Sequence, residues 1–210
     1  MASPGILMRL AQPAEANGSA QAPLAPVPNV TSVMQLEADD GKTPQLNTVY
    51  FLSDISPILS SASYFEKDAE ATQGSVAWVV LSFINGRESS NLTGASVPNN
   101  LNSPPAANSV VVVNGSTPRK DKEQDYHDWY DQEHGLKLSA VPGWNSARRY
   151  RLVQSYGSVE TANFYGVNFY DAENGLGGPE WQAGVKTEWT LRIRSNAAKP
   201  NIRRVWKVKE

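Results

Sequence analysis

The chain has 210 residues, 40% of them hydrophobic and 19% charged, and a formal net charge of -2. Such a length holds one large domain or two small ones, and so small a charge gives no electrostatic pull toward nucleic acid or an anionic membrane. The absence of cysteine excludes disulfides, a thiol nucleophile and thiolate metal sites.

Taken in chain order, residues 5–11 (GILMRLA) are a short apolar run suited to a buried first strand. Residues 13–28 are Ala, Pro, Gly, Ser and Asn without a usable period, and read as loop. Residues 30–38 and 47–53 alternate and carry β-branched and aromatic side chains, as strands do. Asp54 offers an N-cap and Pro57 a first-turn proline for a helix reaching about residue 72. Residues 75–84 (SVAWVVLSFI) are apolar at nearly every position, which fits a strand buried on both faces. Residues 85–108 are rich in Asn, Ser, Gly and Pro and read as a linker. Beyond it the pattern predicts a strand at 109–113, a helix at 122–138 closed near Pro142-Gly143, and strands at 144–154 and 162–171. A helix at 179–194 and a strand at 201–208 follow. In that last strand Arg203, Arg204, Lys207 and Lys209 are interspersed with Ile202, Val205, Trp206 and Val208, which reads as a strand with one wet face.

The second half is thus β-α-β-β-α-β, the ferredoxin-like order, and the first half is the same order without its first helix. The expected class is α+β: tandem ferredoxin-like repeats, with residues 1–100 a degenerate repeat and 101–210 the repeat carrying the chemistry. Two local echoes suggest duplication: residues 48–54 (TVYFLSD) resemble 165–171 (YGVNFYD), and 62–66 (ASYFE) resemble 178–182 (GPEWQ).

The segment Asp125-Tyr-His-Asp-Trp-Tyr-Asp-Gln-Glu-His134, with Val141-Pro-Gly-Trp144 and Arg148-Arg-Tyr150 behind it, resembles the EthD-like and related fungal families of the dimeric α+β-barrel superfamily. Their first helix carries an aromatic-x-x-Trp-Tyr-x-x-Glu-His signature. The resemblance implies two four-stranded sheets facing each other as a barrel, with a pocket between sheet and helices. Members of the superfamily include cofactor-independent decarboxylases, polyketide cyclases, isomerases, small monooxygenases and haem enzymes, so function has to be argued from the site. The first half lacks the helix motif, which makes it scaffold in this reading.

At about 100° per residue, Asp131 lies about 40° and His134 about -20° around the helix axis from His127. The three share a stripe, with Tyr126, Trp129 and Tyr130 on the neighbouring, buried face. His134 and His127 are the expected acid–base residues, His134 foremost because it fills the Glu-His position, with Asp131 orienting the imidazole. Tyr126, Trp129, Tyr130, Tyr150, Tyr165 and Tyr170 are candidates to bind substrate oxygen atoms, and Trp181 and Trp189 to wall a flat ring. A helix face with two histidines and several acids is also what a solvated surface looks like. The same residues form a two-His, one-carboxylate set, but the spacing is not H-x-x-x-H and the chain has no further histidine. The turn Gly175-Leu-Gly-Gly178 reads as a flexible segment over a pocket rather than a phosphate loop.

The sequence therefore points to a lyase, cyclase or isomerase acting on a polyketide or aromatic small molecule by histidine-mediated proton transfer. It needs no cofactor and no metal in this reading. The alternatives are a cofactor-free monooxygenase of a phenolic or anthrone substrate, or a non-enzymatic binding barrel. A cytoplasmic location is expected from the missing export signal and the lack of a ~20-residue apolar span. The expected partner is a small molecule, not nucleic acid or membrane, with a homodimer left open.

Overall fold

The computed structural model describes residues 2–13, 23, 25–72, 74–89 and 105–209. Among these, eight antiparallel strands close into a barrel in the order β1-β3-β2-β8-β5-β7-β6-β4. The strands are β1 (Gly5–Ala11), β2 (Val30–Ala38), β3 (Leu46–Leu52), β4 (Val76–Glu88), β5 (Val110–Ser116), β6 (Trp144–Tyr156), β7 (Phe164–Tyr170) and β8 (Ile202–Val208). Each half supplies one four-stranded sheet, β4-β1-β3-β2 and β8-β5-β7-β6, both in the ferredoxin-like order. The sheets join where β2 pairs with β8 and where the long β4 and β6 run together from Trp78↔Tyr156 to Glu88↔Ser146. Both edges are thus paired within one chain, so a second copy is not needed to close the barrel.

Period-two alternation decides what faces the lumen. Ile6, Met8, Val49, Phe51, Val79, Leu81, Val111, Tyr150, Val167, Phe169 and Trp206 point inward and form the main core. Each large side chain of this kind contributes about 1.5–3 kcal/mol by burial. On the outer face of the first sheet, α1 (Ser56–Ser60) and α2 (Ala62–Ala71) cover Leu7, Leu52, Trp78 and Val80. Phe65 packs edge-on to Trp78 at 5.1 Å and stacks on Tyr156 at 5.5 Å, filling that layer with hydrocarbon. Asp68 accepts a hydrogen bond from Trp78 Nε1 (2.9 Å) and faces Arg9 (3.6 Å) beneath the helix.

Several boundaries differ from expectation for local reasons. The helix predicted over 54–72 breaks at Ser61 into α1 and α2; its N-cap is Ile55 and not the expected Asp54, which lies one residue earlier and accepts from the Ser56 N–H at 3.1 Å. The predicted linker begins too early: Asn85, Gly86, Arg87 and Glu88 continue β4, paired with Arg149, Arg148, Ala147 and Ser146. Most of that linker, residues 90–104, and most of the loop predicted at 13–28 lie outside the described residues, as does much of the segment where the first half lacks a helix. In β8, Arg204 does not join a wet face. It turns inward at the barrel end, where Asp40 receives its Nε–H at 2.9 Å.

Candidate active site between the second sheet and its helices

The outer face of the second sheet is covered by the motif helix and by α5 (Pro179–Val185) and α6 (Glu188–Ser195). The motif helix starts regularly as α3 (Glu123–Trp129). It then widens: the Gly135 N–H reaches the carbonyl of Tyr130, five residues back, giving a π turn over Tyr130–His134 before α4 (Gly135–Ser139). A Cβ at Gly135 would stand 2.9 Å from that carbonyl oxygen. The extra residue in the turn spoils the 100° arithmetic, and π turns of this kind occur often at functional sites.

Its consequence is that the three expected residues part company. His134 turns beneath the helix, where its ring lies nearly parallel to Trp129 with centroids 4.1 Å apart. Burial pushes its pKa down to about 4, the Arg194 guanidinium acts in the same direction, and a hydrogen bond with the Gly184 backbone opposes both. The ring is therefore neutral at pH 7. Its Nδ1 is buried with no hydrogen-bond partner, so the bond to Gly184 places the proton on Nε2 and leaves Nδ1 a bare acceptor.

His127 and Asp131 sit instead at the flank, gathered by Arg149. The guanidinium donates to His127 Nδ1 at 2.6 Å and to Asp131 Oδ1 at 2.8 Å while lying 4.4 Å from the centre of the Tyr130 ring. Because arginine only donates, His127 is neutral with its proton on Nε2. Burial and the Arg149 charge both lower its pKa. Asp131 also accepts from Asn85 (3.2 Å). Its carboxylate is therefore spent on Arg149 and Asn85, and it does not orient His134. Among the described residues, no three His, Asp or Glu side chains converge as metal ligands.

His134 faces a cavity of about 100 Å³ between sheet and helices. Tyr126, Trp129 and Tyr130 line it from the helix, Tyr170 from β7, and Trp181 from α5. Three buried polar atoms on its wall have no hydrogen-bond partner: His134 Nδ1, Tyr130 Oη and Asn168 Nδ2. Asn168 accepts from Trp144 Nε1 at 3.4 Å through its oxygen, which turns its amide nitrogen toward the Tyr130 hydroxyl without closing a well-formed bond. Burial raises the Tyr130 pKa, keeping a protonated phenol at neutral pH. The hydroxyl has room because β7 carries a glycine beneath it: a Cβ on Gly166 would come within 2.5 Å of Tyr130 Oη. Trp129 is fixed in turn by donating to Thr190 Oγ1 at 3.1 Å.

The remaining candidates fall elsewhere. Tyr150 and Tyr165 point into the barrel, since they share a cross-strand pair on the lumen side, and Tyr165 accepts from the Ala162 N–H at 3.0 Å. Trp189 lies outside the cavity, donating to Asp125 at 3.0 Å under the Arg192 guanidinium. Leu176 of the glycine-rich turn does line the cavity, as do Arg194 and Arg203.

Sequence reasoning overlooked Asn168, Thr190 and Arg203. The signal for Asn168 was present: it is the one strongly polar residue in Phe164–Tyr170, and alternation puts it with Gly166 and Tyr170 on the helix side.

No protein-family model and no curated protein sequence matches the chain. Solved structures do resemble it. An anthrone oxidase-like protein superposes with a TM-score of 0.60 at 11% identity, over 100% of this chain and 92% of its own. An uncharacterized ferredoxin-fold protein from Listeria monocytogenes, related to antibiotic biosynthesis monooxygenases, gives 0.51 at 12% identity over 100% and 96%. At such identities the likeness is one of fold: the chain shares the ferredoxin-like α+β barrel of these proteins. The likeness does not single out the EthD-like families.

Proposed function

We propose that the cavity at His134 is the active site of a cofactor-independent monooxygenase acting on a phenolic or anthrone-type aromatic. The observation that carries the reading is that one aromatic-lined cavity is bordered by His134, Tyr130 and Asn168, whose buried Nδ1, Oη and Nδ2 atoms lack a well-formed hydrogen bond. Two are donors and suit a substrate oxygen that gains negative charge, and the third is a neutral base. The division of labour follows: residues 101–210 carry the site and residues 1–100 are scaffold.

His134 accepts the proton that leaves the substrate, while Tyr130 and Asn168 hold the resulting oxyanion in a site walled by Trp129 and Trp181. The anion then gives electrons to dioxygen. For an anthrone, the ring CH₂ becomes C=O: one oxygen atom enters the carbon, and the other departs as water with both hydrogens. Asp131 and His127 lie outside the cavity, so in either chemistry His134 takes the first proton and must also hand it on, to the reduced oxygen in oxygenation or to carbon in an isomerisation. The likenesses to anthrone oxidase-like and monooxygenase-related folds lend the reading support. The cavity of about 100 Å³ is smaller than the ~150 Å³ that encloses benzene. A fused-ring substrate therefore requires the 175–178 turn, with Leu176, to swing outward.

The test is anthrone turnover under air and under argon. The reading expects oxygen uptake matching product, labelled oxygen in the new carbonyl, and a fall of ~10²–10⁴-fold in kcat for His134→Gln. Full-rate turnover of an enolisable or phenolic substrate under argon would instead establish isomerase or lyase chemistry. Saturable binding without product would leave a carrier.

A further inference from the structure

A second, larger hollow lies inside the barrel and is separate from the His134 cavity. It measures about 390 Å³ and opens at the end framed by Thr43-Pro44, Gly74-Ser75 and Ser158–Glu160. Its wall is hydrocarbon from Met8, Leu10, Val79, Val113 and Ile202. An eight-stranded barrel of this size is ordinarily filled by its own side chains. This one is not, because Ala77, on the same face of β4 as Val79, stands where a larger residue would reach inward.

Two polar atoms on this wall are buried and without a partner: Asn47 Oδ1 and Trp206 Nε1. Both residues are 1% exposed. The Asn47 amide nitrogen reaches only the Met8 sulfur, at 3.9 Å, so its oxygen is the free end. Leaving such an acceptor and such a donor unsatisfied destabilises the fold, and a strand core could have used Leu and Phe at these positions without that cost. We infer that the barrel lumen is a binding site for a neutral, hydrocarbon-rich molecule bearing one hydroxyl or amide group, which donates to Asn47 Oδ1 and accepts from Trp206 Nε1.

The charges at the mouth select against an acid. Arg204 stacks 4.3 Å above the Trp206 ring, and its guanidinium is already engaged by the Asp40 carboxylate and by the carbonyls of Lys42, Thr43 and Pro44. Glu160 adds a negative group at the rim. Among the described residues lining the hollow, no cation other than the engaged Arg204 stands ready to meet a carboxylate, whereas a neutral ligand meets no penalty. The volume lies in the range of ordinary small-molecule pockets, ~300–1,000 Å³.

The probe is 2-naphthol, uncharged at pH 7, titrated into the full chain while the six tryptophan indole N–H resonances are followed. The Trp206 resonance is expected to move saturably with a Kd below ~1 mM. Asn47→Leu should weaken this shift about tenfold, and Ala77→Leu, which fills the lumen, should abolish it. His134→Gln should leave it unchanged, which separates this site from the sheet–helix cavity. Should the Asn47 variant fail to fold, the wild-type shift and the Ala77 variant still decide. A Trp206 resonance that stays fixed, shifts confined to Trp129 and Trp181, or unaltered affinity in folded Asn47→Leu and Ala77→Leu would overturn the inference.

Discussion

The most informative perturbation is His134→Gln read through stability against pH. In the folded chain, burial lowers the His134 pKa from its ordinary 6.5 to about 4. The neutral ring is favoured by folding, so this residue costs no stability above pH 6.5. As pH falls below 6.5 the unfolded chain takes up a proton that the folded chain refuses, and stability is lost until about pH 4, where the folded ring also protonates. At ~1.36 kcal/mol per pH unit the full loss is about 3 kcal/mol, and about 2 kcal/mol of it falls between pH 7 and 5. Urea unfolding of wild type and His134→Gln at pH 7 and pH 5 isolates it, because the lowered His127 pKa contributes equally to both. The variant should lose about 2 kcal/mol less than wild type over that interval. Equal losses would mean that His134 titrates as a solvated histidine, and the burial argument would be wrong.

Other expectations follow from individual contacts. Gly166→Ala drives a methyl to within 2.5 Å of Tyr130 Oη. It should lower kcat/KM at least tenfold and should be better tolerated in stability when combined with Tyr130→Phe, a non-additivity that a double-mutant cycle measures. Arg149→Leu removes the donor shared by His127 and Asp131 and should cost about 2–3 kcal/mol in urea unfolding, less than a fully buried pair because Asp131 is half exposed. His127→Gln and Asp131→Asn should each change kcat less than tenfold, against the much larger loss for His134→Gln. Equal losses for all three would restore the shared-stripe picture.

The strand order was readable because the strands of the second half are short runs rich in β-branched and aromatic residues, such as Val110–Val113, and the helices are bounded by turn signals. The barrel likewise follows from two sheets of one order, and its closure within the chain is fixed by the β2–β8 and β4–β6 pairings. What the sequence concealed was rotation. Placing His134 with His127 and Asp131 assumed an unbroken α-helix. One π turn, permitted by Gly135, carries His134 beneath the helix and leaves the other two to Arg149. The tyrosines show the complementary lesson. Tyr165 and Tyr170 are five apart in one strand, so the pleat sends one into the barrel and the other to the helices. Applied strictly, the same alternation would have nominated Asn168. The role of Arg204 was not legible, because its partner Asp40 is remote in sequence.

The central claim is that a neutral His134 presents a free Nδ1 to a small aromatic ligand. Nitrogen-15 spectra of the two histidine rings test it directly, recorded from pH 7 to 5 and again at pH 7 with phenol added. The account predicts that His134 stays neutral throughout, with its proton on Nε2, and that phenol moves the His134 Nδ1 resonance while His127 holds still. A His134 ring that protonates near pH 6.5, or phenol shifts confined to His127, would contradict it.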